Sequence, residues 1–326
     1  MRPHPQSSGR CSVAGPPNGE EPMLVVRGMF PRRILLSGGG IRSICQVGAL
    51  KELDSLGHLK NVKEWAGVSA GGFLAMCMTV GYTVAELYQV SMNFDFTSVI
   101  DIDTAPGWLF NMGLDSGENI QRLIEACLHV KGLDSSLTFG ECLSKCKKSL
   151  CIFVSEFHSG EMKIFSSEQT PDYSVVRAIR ATTAVPFYFQ PVENPEDGTV
   201  YMDGAIISNY PMYLFPENER RKTIGIMVRD SGIRRENELN IKTMIMRPIE
   251  LIMNTRMDYE IKQNMDNTII ICVNGNNDSE NGIHVLDFDI NREKKEILMK
   301  NGKDAVQSFI KSKSMNFRPV RRYSVS

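Results

Sequence analysis

The stretch WAGVSAGGFLAMCM, running from Trp65 to Met78, decides how the rest of the chain is read. Its opening, Trp65 to Val68, suits a buried strand, and FLAMCM at 73 to 78 suits a buried helix. Between them Gly67-Val68-Ser69-Ala70-Gly71 matches GxSxG. The glycines let the backbone turn sharply from strand to helix, which projects the serine hydroxyl out of the fold where it can reach a carbonyl carbon. A helix that starts at Ala70 aims its unpaired N–H groups and positive dipole end at the same spot, where an acyl intermediate would carry negative charge. The plainer reading makes Ser69 an N-cap among small packing residues. Its placement between strand and helix favours the nucleophile.

Trp65 to Ala85 carries no charge over 21 residues, nominally enough to cross a bilayer. Gly67, Gly71, Gly72 and Gly81 interrupt it, together with Ser69, Thr79 and Thr83, and the helix expected inside it runs only from Ala70 to about Thr79. A short helix that is apolar all round is a buried central helix. Upstream the same unit occurs again: ILLS at 34 to 37 ends in Gly38-Gly39-Gly40, then Ile44, Val47, Leu50, Leu53 and Leu56 recur at helical spacing. LCIFV at 150 to 154, MKIF at 162 to 165, TIGIMV at 223 to 228, TIIICV at 268 to 273 and IHVLDF at 283 to 288 are expected as further strands. Strands interleaved with helices imply an α/β fold, a three-layer α/β/α arrangement with a largely parallel central sheet. A closing helix is expected from about Asn291 to Lys311, despite Gly302 within it.

The 326 residues are 42% hydrophobic and 23% charged, an ordinary globular balance that excludes a disordered chain or a disulfide mini-protein. With 37 Lys and Arg against 38 Asp and Glu, no net field draws the molecule to nucleic acid. Eight cysteines show no CxxC pair and sit mostly among apolar residues, which fits a reduced, cytoplasmic setting. No apolar core follows Arg2 and Arg10, so the start is not expected to be a secretory signal. Residues 1–31 therefore read as a disordered or extended leader, 32–312 as one folded unit, and 313–326 as a basic, solvated tail.

Gly38-Gly39-Gly40-Ile41-Arg42 opens a helix after a strand, as phosphate loops do, but Ser43 breaks GxGxxG and no GK followed by Ser or Thr is present. Three glycines can instead aim backbone N–H groups into a small concavity, the hardware of an oxyanion hole. Arg42 in the first helical turn opposes the helix dipole and calls for an anionic partner, a structural carboxylate before a substrate phosphate. Of five histidines, His4, His58, His129 and His158 read as solvated, and His284 alone stands where a conventional Ser-acid-His hydrolase would keep its base. Asp203, with Gly204 and Ala205, ends the strand expected at Thr199 to Met202, while Asp197-Gly198 reads as a hairpin turn.

Taken together, GGGIR at 38–42, GVSAG at 67–71, RATTAVPFYFQPV at 180–192 and YMDGAIISNYP at 201–211 resemble the patatin-like phospholipase family over residues 32 to 312. The resemblance implies a lipid acyl hydrolase with a serine–aspartate dyad, no histidine, no metal and no cofactor. Ser69 matches the nucleophile, Asp203 the base, Gly38, Gly39 and Gly40 the oxyanion loop with Arg42 as its basic residue, and Gly67 and Gly71 the elbow. Gly204 and Ala205 match the motif after the base, Ala205 standing where glycine is frequent. The N–H of Ala70, at the start of the expected helix, is expected as a further oxyanion donor. The implied partner is a phospholipid or glycerolipid at a membrane or droplet surface. Phe94, Phe96, Trp108, Leu109, Phe110 and Tyr213-Leu214-Phe215 are candidate lipid contacts, with core packing as the alternative. A catalytically silent lipid- or protein-binding module on the same scaffold is the competing function.

Overall fold

The computed structural model describes residues 30–102, 112–230, 241–273 and 283–316, with the side chains of 241–250, 315 and 316 excepted. Residues 1–29, Trp108, Leu109, Phe110 and the chain from 317 onward lie outside the described residues. The elements begin with β1 (Arg33–Leu36), α1 (Ile44–Ser55), β2 (Glu64–Val68), α2 (Ala70–Thr79) and α3 (Val84–Asn93). Next come β3 (Gly113–Asp115), α4 (Glu118–Val130), α5 (Phe139–Cys146), β4 (Ser149–Glu156), β5 (Met162–Ser166) and α6 (Val175–Thr182). The chain continues through β6 (Phe187–Phe189), β7 (Val192–Glu193), β8 (Val200–Asp203), α7 (Glu217–Arg220) and β9 (Thr223–Asp230). It closes with α8 (Ile241–Asn264), β10 (Thr268–Val273) and α9 (Arg292–Asn316).

Strands β10, β9, β1, β2 and β4 run parallel in that order, and β5, β8 and β7 complete the sheet in antiparallel pairings. The sheet is covered on both faces, so its strands are apolar throughout rather than alternating. Ile34 and Leu36 enter the larger core, formed with α1, α2, α3 and α9, whereas Leu35 between them enters a smaller one with Met212, Phe215 and, from α8, Met257 and Ile261. This is the three-layer, mostly parallel arrangement expected. Helix α9 docks on α1 where Gly48 and Gly302 admit the partner backbone: a Cβ on Gly302 would fall 1.8 Å from the Cys45 carbonyl oxygen. The glycine that looked like a helix defect is thus the contact point.

The pairing of β4 positions the site. Val154 pairs with Lys163 of β5 on one side and with Asp203 of β8 on the other, while Phe153 pairs with Val68 of β2. One residue cannot have two strand neighbours on the same side, so β8 occupies the edge that β2 has just vacated. The two strands run toward each other along β4, and their C-terminal ends, Val68 and Asp203, meet.

Two expectations are corrected. IHVLDF at 283–288 forms no strand; it crosses the glycine loop, where the Val285 carbonyl accepts the Ile41 N–H at 2.9 Å and blocks any Cβ on Gly40. Its apolar spacing serves packing over that loop rather than a ladder. His58, expected in solvent, is buried beyond the end of α1. The turn at Asp197-Gly198 joins β7 to β8 as expected, with Gly198 at φ +71°.

Candidate active site

Ser69 sits between β2 and α2 with φ +53° and ψ −132°, a conformation that side chains other than glycine rarely adopt and that costs roughly 1–3 kcal/mol. Its surroundings impose it. A Cβ on Gly67 would fall 2.4 Å from the Gly71 carbonyl oxygen, and one on Gly71 would fall 2.3 Å from that of Ser37, so the turn closes only with glycine at both places. The Ser69 N–H donates to Thr182 Oγ1 at 2.8 Å, and Thr182 donates its hydroxyl to the Phe153 carbonyl at 2.6 Å. The Ser69 carbonyl accepts the Gly72 N–H at 2.8 Å. The N–H groups of Ala70 and Gly71 stay without an acceptor among the described residues, as the first donors of a helix do.

The Ser69 hydroxyl donates to Asp203 Oδ2 at 2.6 Å across 134 residues of chain. Asp203 is only 2% exposed. Its Oδ1 accepts the Ala205 N–H at 2.8 Å, its carbonyl accepts the Ser155 hydroxyl at 2.9 Å, and its N–H donates to the Ala184 carbonyl at 2.9 Å. A Cβ on Gly204 would meet the Phe153 carbonyl oxygen at 2.4 Å, so glycine after Asp203 keeps the turn tight against β4. Burial raises the Asp203 pKa from 3.8 to about 7; the hydrogen bonds from Ser69 and Ala205 pull it down and offset only part of that. A hydroxyl held this way can pass its proton to the carboxylate while its oxygen attacks an electrophile.

Ser69, Gly40, Val185 and Leu286 line two cavities in common. One, of about 90 Å³, is edged by Gly38, Gly39, Arg42, Asp203, Asn209 and Asp230. The other, of about 160 Å³, is walled almost wholly by hydrocarbon, including Phe73 and Leu74 of α2, Phe96, Ile120, Leu123 and Phe288. The N–H groups of Gly38, Gly39 and Gly40 find no acceptor among the described residues. Arg42 Nη1 binds Asp230 Oδ2 at 2.9 Å, so the anion that balances it is a carboxylate at the end of β9.

His284 is exposed and lines neither cavity, although its neighbours Val285 and Leu286 do. Of the candidate lipid contacts, Phe96 reaches the apolar cavity, Phe215 is buried in the smaller core, and Tyr213 lies at the surface beside Arg256. Among the described residues no three His, Cys, Asp or Glu gather as metal ligands would. No helix among them is long and apolar enough to cross a membrane. Thr182 and Asn209 fall within the motif stretches 180–192 and 201–211, which assign neither of them a role, and Ser155 lies outside every motif; the part of each in the site is a long-range hydrogen bond.

The family model described as patatin-like phospholipase matches residues 34–216, more than half of the chain. The chain is 26% identical to the uncharacterized protein YqhO of Bacillus subtilis, across 85% of this chain and 97% of that one. It is 27% identical to the probable lipid hydrolase 463L of Invertebrate iridescent virus 6, across 56% of this chain and 62% of that one. Among solved structures, VipD from Legionella pneumophila shares the fold at a TM-score of 0.55 and 18% identity, over 87% of this chain and 67% of VipD. By the family model that matches more than half of it, the chain belongs to the patatin-like phospholipase family.

Proposed function

We propose that the protein is a lipid acyl hydrolase that cleaves carboxylic esters with Ser69 as nucleophile and Asp203 as its base. The carrying observation is the 2.6 Å hydrogen bond from the hydroxyl of Ser69, which lines both cavities, to a buried carboxylate. Ionised Asp203 takes the hydroxyl proton as Ser69 Oγ bonds to the ester carbon. The carbonyl oxygen becomes an oxyanion, held by N–H groups of the Gly38–Gly40 loop and by that of Ala70 at the positive end of α2. When the intermediate collapses, the ester C–O bond breaks and Asp203 returns its proton to the departing alcohol. Water, deprotonated by the same carboxylate, then releases the fatty acid and restores Ser69.

The two cavities support a lipid ester as the substrate class. The hydrocarbon-walled one suits an acyl chain, and the one with Arg42, Asp230 and Asn209 suits the polar remainder of a phospholipid or other glycerolipid. Such a substrate lies in a membrane or droplet surface, which the enzyme would meet from the cytoplasm. A fluorophosphonate probe, which traps activated serines, should label Ser69. Ser69→Ala and Asp203→Asn should both abolish fatty-acid release from phospholipid vesicles. Labelling elsewhere, or turnover that survives Ser69→Ala, would retire the proposal, and a loss on His284→Ala would move the base to that residue.

A further inference from the structure

The geometry points to Asn209 as a positioning residue: it fixes the peptide that joins Gly38 to Gly39, and thereby aims the Gly39 N–H. The inference rests on the hydrolase reading above. Asn209 is buried and lies six residues beyond Asp203, so the turn that ends β8 delivers carboxylate and carboxamide together. Its Nδ2 donates to the Gly38 carbonyl at 3.2 Å and to Met257 Sδ at 3.2 Å. The same Gly38 carbonyl accepts the Ser37 hydroxyl at 3.1 Å. Ser37 is held in turn, its Oγ accepting the Val228 N–H at 3.0 Å and its carbonyl accepting Gln46 Nε2 at 2.8 Å.

A trans peptide is planar, with the C=O of one residue and the N–H of the next pointing opposite ways. Drawing the Gly38 oxygen toward Asn209 and Ser37 therefore turns the Gly39 N–H away from both. That N–H has no acceptor among the described residues, and Gly39 lines the polar cavity. A loop of three glycines would otherwise be free to rotate this peptide. The contact is tight: a Cβ on Gly38 would lie 2.4 Å from Asn209 Oδ1 and 3.0 Å from Ser69 Cβ, so Gly38 is wedged between the carboxamide and the nucleophile.

The side chain's own hydrogen bonding is incomplete, since Asn209 Oδ1 is buried without a partner. Leaving such an acceptor unpaired carries a desolvation cost that an apolar side chain filling the same space would not incur. What asparagine adds is a planar pair of N–H donors on a short stem. Aspartate would set two acceptors against the Gly38 oxygen, and alanine would leave that oxygen to Ser37 alone.

The experiment is Asn209→Ala and the equal-sized Asn209→Asp, each assayed on vesicles and on a soluble short-chain ester, with turnover expressed per folded protein. Both should lower kcat about 10- to 100-fold, short of the loss for deleting an oxyanion donor outright, and leave KM within about twofold. Fluorophosphonate labelling of Ser69, which builds a similar oxyanion, should slow by the same factor. Ser37→Ala should cost little alone, yet combined with Asn209→Ala should cost more than the product of the two, because the Gly38 carbonyl then has no donor. Unchanged kcat, a rise confined to KM, or losses that merely multiply would overturn the assignment. Ser69→Ala separates the two readings. If it keeps full turnover, the hydrolase reading fails; if it is inactive while Asn209→Ala is fully active, only the role of Asn209 fails.

Discussion

Replacing Asp203 by asparagine should make the protein more stable at pH 8 while abolishing hydrolysis, and the gain should vanish in acid. In the fold the carboxyl ionises at about 7, against 3.8 in a solvated aspartate. At about 1.4 kcal/mol per pKa unit, ionising it inside the protein costs about 4 kcal/mol more than ionising it in the unfolded chain. Below pH 3.8 both states hold the proton and nothing is lost. Between 3.8 and 7 the unfolded chain has released the proton and the native state has not, so stability falls as pH rises. Above 7 the loss is complete. Asparagine keeps an acceptor for the Ala205 N–H and a polar partner for Ser69, yet never ionises. Urea unfolding of both proteins at pH 4 and pH 8 isolates the effect, since all other titrations cancel in the difference. The variant's advantage should grow by about 4 kcal/mol between those values. A difference that does not change with pH would show that Asp203 ionises as if solvated. Hydrolysis by the native protein should follow the same ionisation in the opposite sense, rising to a plateau above about pH 7 and standing roughly a hundredfold lower at pH 5.

Thr182→Val preserves shape but strands the Ser69 N–H and the Phe153 carbonyl; it should cost about 2–4 kcal/mol in urea unfolding and lower turnover, and unchanged turnover would show that the elbow holds without it. Gly71→Ala drives a methyl group into the carbonyls of Ser37 and Leu36 and should cost more than about 3 kcal/mol, seen as loss of folded protein; a folded, active variant would contradict the closeness of that packing. Phe187, half exposed at φ +66° and paired with Gly113 next to the exposed Met112 at φ +59°, follows directly on Val185 and Pro186 at the cavity edge. Phe187→Ser should reduce turnover on vesicles several-fold and spare a soluble ester, and equal losses on both would show that the ring serves packing instead of lipid contact.

Why the two halves of the site differ in legibility follows from how each is built. The elbow is a local object: Gly67, Ser69 and Gly71 are close in the chain, the clashes that demand glycine arise within and beside the turn, and the flanking apolar runs announce strand and helix. Helix α2 accordingly spans Ala70–Thr79, as expected from those residues alone. The partnership with Asp203 is not local. It comes from the register of a third strand, β4, along which β2 stops at Phe153 and β8, arriving from the other direction, stops at Val154. Nothing in residues 64–68 or 200–203 encodes that abutment, so it entered the sequence reading only through resemblance of four motifs in order. The stretch 283–288 fails for a related reason. Its apolar residues do face protein, but they close over the glycine loop through a backbone carbonyl, and periodicity cannot tell packing on a loop from packing in a sheet. Asn209 marks the same boundary. Its residue type suggests a turn, whereas what it does depends on a carbonyl 171 residues away. Motifs report what the backbone needs within a few residues; where strands end relative to one another decides which motifs can act together. A change that shifts β8 by one position along β4 would therefore disable this site as thoroughly as deleting the serine, with every motif intact.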